Sequence, residues 1–441
     1  MIQLILILLI AFLLRSFLLL KDKWVGNDTF AYMAFALEFK RKKHMIEIPD
    51  KIKPKYNDFI PQLFTIFLSL FPKKVYHYLQ FLPAIMDLIT IVLLYNFSFA
   101  IFGENIALLS TFIYSITPIV VHSCFTLSPR SFSNTFLTLS ILSLFSYFQS
   151  KSFIFLFPFF IFTAVVLLSH RLTTQSIITI ILLESIIFFD PIPILILILA
   201  FIFWLIVLKD TYIKILKTHL EKLKGYAKTG GYRDRRLRPE SPIRIFFSFP
   251  IILVILIYLV FFGSFNQTFL EVWFFSLLIL SFIWVLGDGF RHLTNTIFPG
   301  SILASVCILR IEILKPIFFI LTIISLLTIF KIMYDYQKSH RVIKKDFIEC
   351  CNYIKRHAKK SDILVTFPYD YHYPYIALFF TVINVIGGPV EYSEDTVSKT
   401  GKIDKFKINW VITNDITKFK KSKLFSQKFN NGNFFVFKKA Y

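Results

Sequence analysis

Apolar residues along this chain come in long runs broken by short polar turns, not in the alternating pattern of strands facing water. A helix needs about 20 mostly apolar residues to cross a bilayer. Such runs lie at 1–20, 75–102, 104–122, 131–148, 153–169, 172–189, 191–208, 244–262, 270–286, 293–310 and 316–334, and they predict eleven transmembrane helices. An odd number places the two termini on opposite sides. The apolar run at 59–71 is too short to span and reads as an interfacial or re-entrant helix. The first run is interrupted only by Gln3, Arg15 and Ser16, and no small-residue cleavage site follows it, since the chain continues Lys21-Asp22-Lys23-Trp24. It reads as a retained membrane helix rather than a signal peptide.

Three polar stretches, 21–58, 209–243 and everything after about 335, fall on one face of the predicted bundle, here called face B. The short turns near 103, 150, 190, 266 and 312 fall on the other, face A. Within 209–224, Ile213, Leu216, Leu220 and Leu223 recur at helical spacing among Lys214, Lys217, Lys222 and Lys224. That is the pattern of a basic helix lying on a membrane surface. Gly230-Gly231 ends it, and Tyr232 to Glu240, with four arginines, reads as a flexible loop. In the tail, 341–359 reads as a helix, while Asp362–Thr366, Val385–Ile386 and Trp410–Thr413 read as short strands. Ser426–Phe429 and Phe434–Phe437 flank Asn430-Asn431-Gly432, a hairpin signal. The expectation is a multi-pass α-helical membrane protein with about eleven transmembrane helices and a small C-terminal α/β domain. The membrane domain is 1–335, with a first loop at 21–74 and a basic loop at 209–243, and the soluble domain is 336–441. No internal repeat is present.

Composition agrees. Hydrophobic residues make up 56% of the chain and charged residues 17%, and Phe alone accounts for 55 positions. A water-soluble globule could not bury that much apolar surface. Intrinsic disorder, a secreted disulfide scaffold and a cytosolic enzyme are excluded. The 49 Lys and Arg against 27 Asp and Glu leave a net charge of +22, which attracts phosphate. In a membrane protein that phosphate belongs to lipid rather than nucleic acid. Cys124, Cys307, Cys350 and Cys351 show no metal-ligand spacing, and Cys350 and Cys351, adjacent in a helix, face different ways.

No Walker loop, dinucleotide glycine pattern, HExxH or GxSxG is present. The informative residues are polar ones at the face B ends of the helices, because ionisable groups in a membrane are costly unless paired or hydrated. Asp28, in Gly26-Asn27-Asp28-Thr29, follows the first helix. A carboxylate held there could remove a proton from an attacking hydroxyl. Equally, Asn27 or Asp28 could be the N-cap of a helix over 29–39, and the two readings are compatible. Ser128-Pro129-Arg130, Ser169-His170-Arg171 and Gly287-Asp288-Gly289-Phe290-Arg291-His292 each place an arginine where the headgroups begin. An arginine fork matches a phosphate, although a single boundary arginine is more often a snorkelling side chain. Three on one face, two beside a histidine, point to an anion site. His170 and His292 have no partner at zinc-ligand spacing. Asp87 could line the same cavity, and Glu184, deeper in its helix, is given no role.

These features resemble the GT-C glycosyltransferases, in an archaeal form that uses polyprenyl-phosphate-linked sugars. The resemblance rests on Asp28 after the first helix, Tyr56 to Leu63 before the second, Ser128-Pro129-Arg130 after the third, Gly287 to Arg291 late in the chain, and the small α/β tail. It implies Asp28 as the catalytic base, and Arg291, with Arg130 and Arg171 and their neighbours His170 and His292, at the lipid phosphate. The DxD acid pair and the WWDYG signature of oligosaccharyltransferases are absent from the chain. The resemblance therefore implies a transferase of single sugars, without a metal or other cofactor. The donor is a polyprenyl-phosphate-linked sugar, membrane lipid is the other partner, and nucleic acid is not one. A phosphate leaves readily, so no second carboxylate acid is needed, unlike in glycoside hydrolases.

Such enzymes keep their active sites on the extracytoplasmic side, which would put face B outside. The positive-inside rule points the other way. Segments 21–74 and 209–244 hold eleven Lys and Arg each and are joined on face B by Arg130, Arg171 and Arg291, against Lys151, Arg310 and Lys315 on face A. Two competing readings are a lipid or solute transporter or flippase, and a non-catalytic scaffold binding anionic lipid. The transporter reading lacks repeats and broken midplane helices. The scaffold reading explains the charge but not Asp28.

Overall fold

The computed structural model describes residues 2–22, 24–42, 63–229, 242–283, 290–338, 345–359, 361–367, 373–381, 383–386, 394–403 and 406–440. The chain forms two compact units, one from Met1–Lys21, Ile60–Phe64 and Phe81–Asp335, the other from Asp22–Phe59, Thr65–Gln80 and Tyr336–Tyr441. In chain order the helices are α1 (Ile2–Lys21), α2 (Asn27–Lys42), α3 (Leu63–Ser69), α4 (Leu82–Phe102), α5 (Glu104–Ser115), α6 (Pro118–Ser123), α7 (Pro129–Ser150), α8 (Leu156–Leu167), α9 (Arg171–Ile187) and α10 (Ile192–Leu208). They continue as α11 (Asp210–Thr229), α12 (Pro242–Ser248), α13 (Ile252–Phe262), α14 (Thr268–Phe282), α15 (Phe290–Arg310), α16 (Leu314–Lys338), α17 (Lys345–His357), α18 (Tyr373–Thr381), α19 (Glu394–Thr400) and α20 (Ile416–Lys420).

The first unit has the polarity of a protein dissolved in lipid. Large apolar side chains such as Phe189 (93% exposed) and Val260 (80%) stand on its outside. Its interior holds hydroxyl pairs between helices: Thr90 with Thr135 at 3.0 Å, Ser140 with Thr163 at 2.8 Å and Ser98 with Ser110 at 3.2 Å. Lipid tails are as apolar as leucine, so helices associate through close packing and such hydrogen bonds. This is an integral membrane protein.

Among the described residues the apolar runs are mainly helical, but not all are uninterrupted. The run at 104–122 is split between α5 and α6 at Pro118, which starts the second helix. The run at 244–262 is not one rod, because α12 and α13 meet at 111°. Pro250 lies at that break and has no N–H to continue the ladder. Among the described residues, Ile2–Lys21, Tyr78–Phe102, Arg291–Arg310 and Leu314–Lys338 are long and apolar enough to cross a membrane, with the bent pair as a fifth. Phe153–Leu167, Ile192–Leu208 and Thr268–Phe282 are apolar but shorter. α11 is the expected amphipathic helix, with Tyr212 and Ile215 buried and Lys214, Lys217 and Lys224 exposed. The expected break at Gly230-Gly231 and the loop at 232–240 lie outside the described residues, as do 43–62, including most of the Tyr56 to Leu63 stretch.

The second unit contains a five-stranded sheet ordered β2-β1-β5-β7-β6 and a two-stranded ribbon, β3 with β4. The strands are β1 (Ile363–Thr366), β2 (Asn384–Ile386), β3 (Lys402–Ile403), β4 (Phe406–Lys407), β5 (Trp410–Thr413), β6 (Phe425–Asn430) and β7 (Phe435–Lys439). β1 pairs in parallel with β2 and β5, and β7 pairs antiparallel with β5 and β6. All four residues of β5 are buried, as an apolar run in a central strand should be. On α17, Phe347, Cys350, Cys351 and Ile354 form one buried stripe. The adjacent cysteines thus share the core instead of facing apart, since 100° of rotation still fits a wide apolar face.

The units also redraw the domain boundary. The first loop, grouped above with the membrane helices, clusters with the C-terminal α/β portion. The reason is packing between α2 and α18, whose rings meet at Phe30–Phe379 (5.6 Å) and Phe35–Tyr375 (5.8 Å).

Candidate active site

In the first unit three helices begin in the same neighbourhood, each with an arginine in its first turn. α7 starts at Pro129, whose missing N–H costs nothing at a first helical position, and Arg130 follows. Arg171 opens α9 after His170 in the N-cap position. Arg291 follows Phe290 at the start of α15. Their convergence shows at His170, in the turn before α9. Burial first, then the positive charges of Arg291, Arg130, Arg171 and His292, push its pKa well below the ordinary histidine value. His170 is therefore a neutral imidazole among three guanidinium groups.

Hydroxyl and amide groups one turn into each helix hold this array together. Ser133 donates to the Arg130 carbonyl at 3.0 Å and meets Thr173 Oγ1 at 3.0 Å, and Thr173 lies 3.2 Å from His170 Nδ1. His292 is fully buried, with Nδ1 3.0 Å from Ser176 Oγ. Asn295 donates to that same oxygen at 2.9 Å. Gln175 reaches His219 of α11 at 2.9 Å, so the basic surface helix is tied beside the array. Sequence reasoning missed Ser133 and Asn295, and gave Thr173, in the stretch that follows Arg171, no role. A signal existed, because each stands three residues after Arg130, His170 or His292, on the same face of its helix.

Each helix N-terminus carries about half a positive charge and directs unsatisfied N–H groups outward. Three of them with three arginines form a strong anion-attracting field. Ser128, at the N-cap of α7, adds an unused donor: its hydroxyl is buried and has no hydrogen-bond partner among the described residues. The glycines of Gly287-Asp288-Gly289 lie outside the described residues.

Asp28 is in the second unit. α2 begins at Asn27, so Asp28 is second in the first turn rather than at the cap, after Gly26 with φ +81°. It is half-buried. In that first turn a carboxylate supports the helix dipole. Asp87 does not line the anion site. It is buried in the first unit between Arg15 Nε and the Tyr114 hydroxyl. Glu184 is fully buried on α9, and neither carboxyl oxygen has a partner among the described residues. Among the described residues no three His, Cys, Asp or Glu side chains are grouped to hold a metal ion.

The field around His170 also sets a pH dependence. Between its folded pKa and the unfolded value of about 6.5, the unfolded chain binds more protons, so stability rises with pH there and falls as the solution is acidified below about 6.5. His170→Gln should flatten that acid limb in thermal unfolding between pH 7 and 5. An unchanged limb would remove the case for a neutral His170.

No family model and no curated protein sequence matches this chain. Solved structures do. The oligosaccharyltransferase of Archaeoglobus fulgidus, tethered with an acceptor peptide containing the NVT sequon, superposes with TM-score 0.64 at 10% identity over 100% of this chain and 74% of that one. ArnT from Cupriavidus metallidurans, bound to undecaprenyl phosphate, superposes with TM-score 0.62 at 9% identity over 99% of this chain and 97% of that one. These matches cover nearly all of this chain, bundle and sheet together, and show one shared fold. This chain has that fold, as the sequence resemblance implied.

Proposed function

We propose that the protein is a membrane glycosyltransferase that moves a sugar from a polyprenyl-phosphate donor to a hydroxyl acceptor at the membrane boundary. The observation that carries this reading is the convergence of Arg130, Arg171 and Arg291 on neutral His170 at three helix N-termini. A lipid-linked phosphate is the anion such a site meets in a bilayer. That ArnT has been crystallised with undecaprenyl phosphate on the same fold adds support.

In the proposed reaction the acceptor oxygen attacks the anomeric carbon of the sugar. A C–O bond to the acceptor forms as the bond from that carbon to the phosphate oxygen breaks. Asp28 takes the acceptor proton. The electron pair leaves with the lipid phosphate, whose growing charge the arginines and helix ends stabilise. His170 binds at the phosphate as a neutral hydrogen-bonding group, with His292 beside it. No metal is part of this scheme, and the active face is extracytoplasmic.

Mass spectrometry of lipids co-purifying with the protein should find a polyprenyl phosphate. Arg171→Ala and Arg291→Ala should each weaken its retention by about 10- to 100-fold, the worth of one charge-assisted hydrogen bond. Retention of the lipid without any sugar transfer would favour the scaffold reading. Cysteine labelling at position 235 from either side of sealed vesicles tests the orientation.

A further inference from the structure

We propose that α18, in the C-terminal α/β domain, is the element that positions Asp28. The inference rests on the reading of Asp28 as the base and adds the device that holds it. Trp24, four residues before Asp28, packs its ring against Phe379 (5.8 Å) and Phe380 (5.7 Å) of α18. Phe30, two residues after Asp28 and fully buried, meets the same two rings at 5.6 and 5.8 Å. Asp28 is thus bracketed on both sides by aromatic contacts to one short helix. Two residues are about 200° around a helix, so the ring that locks the rotation of α2 lies opposite the acid. The carboxylate is aimed by packing on the far face of its own helix.

The start of α2 is fixed as well. Gln80 Oε1 accepts the Val25 N–H at 3.0 Å, and the Thr29 hydroxyl donates to the Val25 carbonyl at 2.8 Å. α18 is held in turn at its C-terminal end. Lys73 donates to the Phe379 carbonyl at 3.1 Å, with its ammonium 4.9 Å from the centre of the Phe379 ring. Tyr76 stacks on Phe379 at 6.3 Å. At its other end α18 joins the domain core, where Tyr373 packs on Phe347 (4.5 Å) and Phe434 (5.9 Å). Phe379 is the contact that Trp24, Phe30, Lys73 and Tyr76 share, so the C-terminal portion is a part of the catalytic apparatus that touches no substrate. Phe379, Phe380 and Trp24 are its positioning residues.

The test uses the full-length protein in lipid nanodiscs, with Phe379→Ala as the disruptive variant and Phe380→Leu as a mild one that keeps the fold. Amide hydrogen exchange across 29–36 should rise in both, more in Phe379→Ala, while exchange across 133–147 of α7 stays as it was. In a transfer assay with polyprenyl-phosphate-linked sugar, kcat should fall about 10- to 100-fold in Phe379→Ala, the scale of a small displacement of a reacting group. KM for the donor should stay constant, and Phe379→Leu should recover most of the rate. Unchanged exchange across 29–36 in both alanine and leucine variants overturns the proposal, and so does faster exchange with an undiminished kcat. If the unsubstituted protein transfers no sugar, the glycosyltransferase reading fails by that result, and α18 as the holder of α2 still stands or falls on the exchange data.

Discussion

Asp28→Asn should lower sugar transfer by roughly 100- to 10,000-fold, the usual contribution of a general base, and leave retention of the lipid phosphate unchanged. The substitution is nearly isosteric, so packing around the first turn of α2 is kept. What it removes is the proton acceptor and one negative charge near the helix N-terminus, a loss of about 0.3–1 kcal/mol of helix stability. The two consequences separate cleanly. A base shows itself in turnover at saturating donor, whereas a residue that merely supports its helix lowers the melting temperature and leaves kcat alone. Asp28→Glu makes the contrast sharper, since it retains charge and basicity but moves the oxygens by one methylene. It should keep the stability and lose much of the rate. Transfer by Asp28→Asn within a few-fold of the unsubstituted protein would assign the proton to another group, and the buried carboxyl of Glu184 is not a substitute, because it is sealed inside α9.

The membrane helices were legible because lipid selects for length and apolarity alone. The tail strands were legible because β1, β2 and β5 are short apolar runs, and the hairpin because Asn431-Gly432 supplies the positive φ of Gly432 that the turn between β6 and β7 requires. Breaks were less legible. Pro118 and Pro250 stand in plain view, yet proline is tolerated in many membrane helices, so only the 111° bend separates a kink from a corner. The arginine cluster was readable as three separate boundary residues. That they share one anion site followed from their common face; the hydroxyl and amide contacts between α7, α9 and α15 that join them did not. The boundary of the first loop was the least legible feature. Its partner, α18, lies some 350 positions away along the chain from Phe30 to Phe379, and aromatic residues in a phenylalanine-rich sequence carry no address.

Removing either member of the Arg15–Asp87 pair should destabilise the protein by about 3–5 kcal/mol, the cost of leaving one buried charge uncompensated. Arg15 is fully buried on α1, where it bonds Asp87 and donates to the carbonyls of Ala11 (3.1 Å) and Ser115 (2.9 Å). Asp87 on α4 accepts from Arg15 and, through its other oxygen, from the Tyr114 hydroxyl of α5 at 2.9 Å. Asn134 of α7 reaches that hydroxyl at 3.5 Å. The network therefore joins four helices by groups that lipid cannot solvate. Asp87→Leu leaves a guanidinium in that interior, and Arg15→Met leaves a carboxylate. The double variant leaves neither, and replacing a whole buried pair by apolar side chains is often neutral. Thermal unfolding in detergent should thus show two severe single losses and a double variant close to the unsubstituted protein, a coupling of several kcal/mol in the cycle. Additive losses would mean that the two charges do not depend on one another. With the pair serving helix packing alone, the double variant should also keep its polyprenyl phosphate. Loss of that lipid in a stably folded double variant would return Asp87 to the anion site.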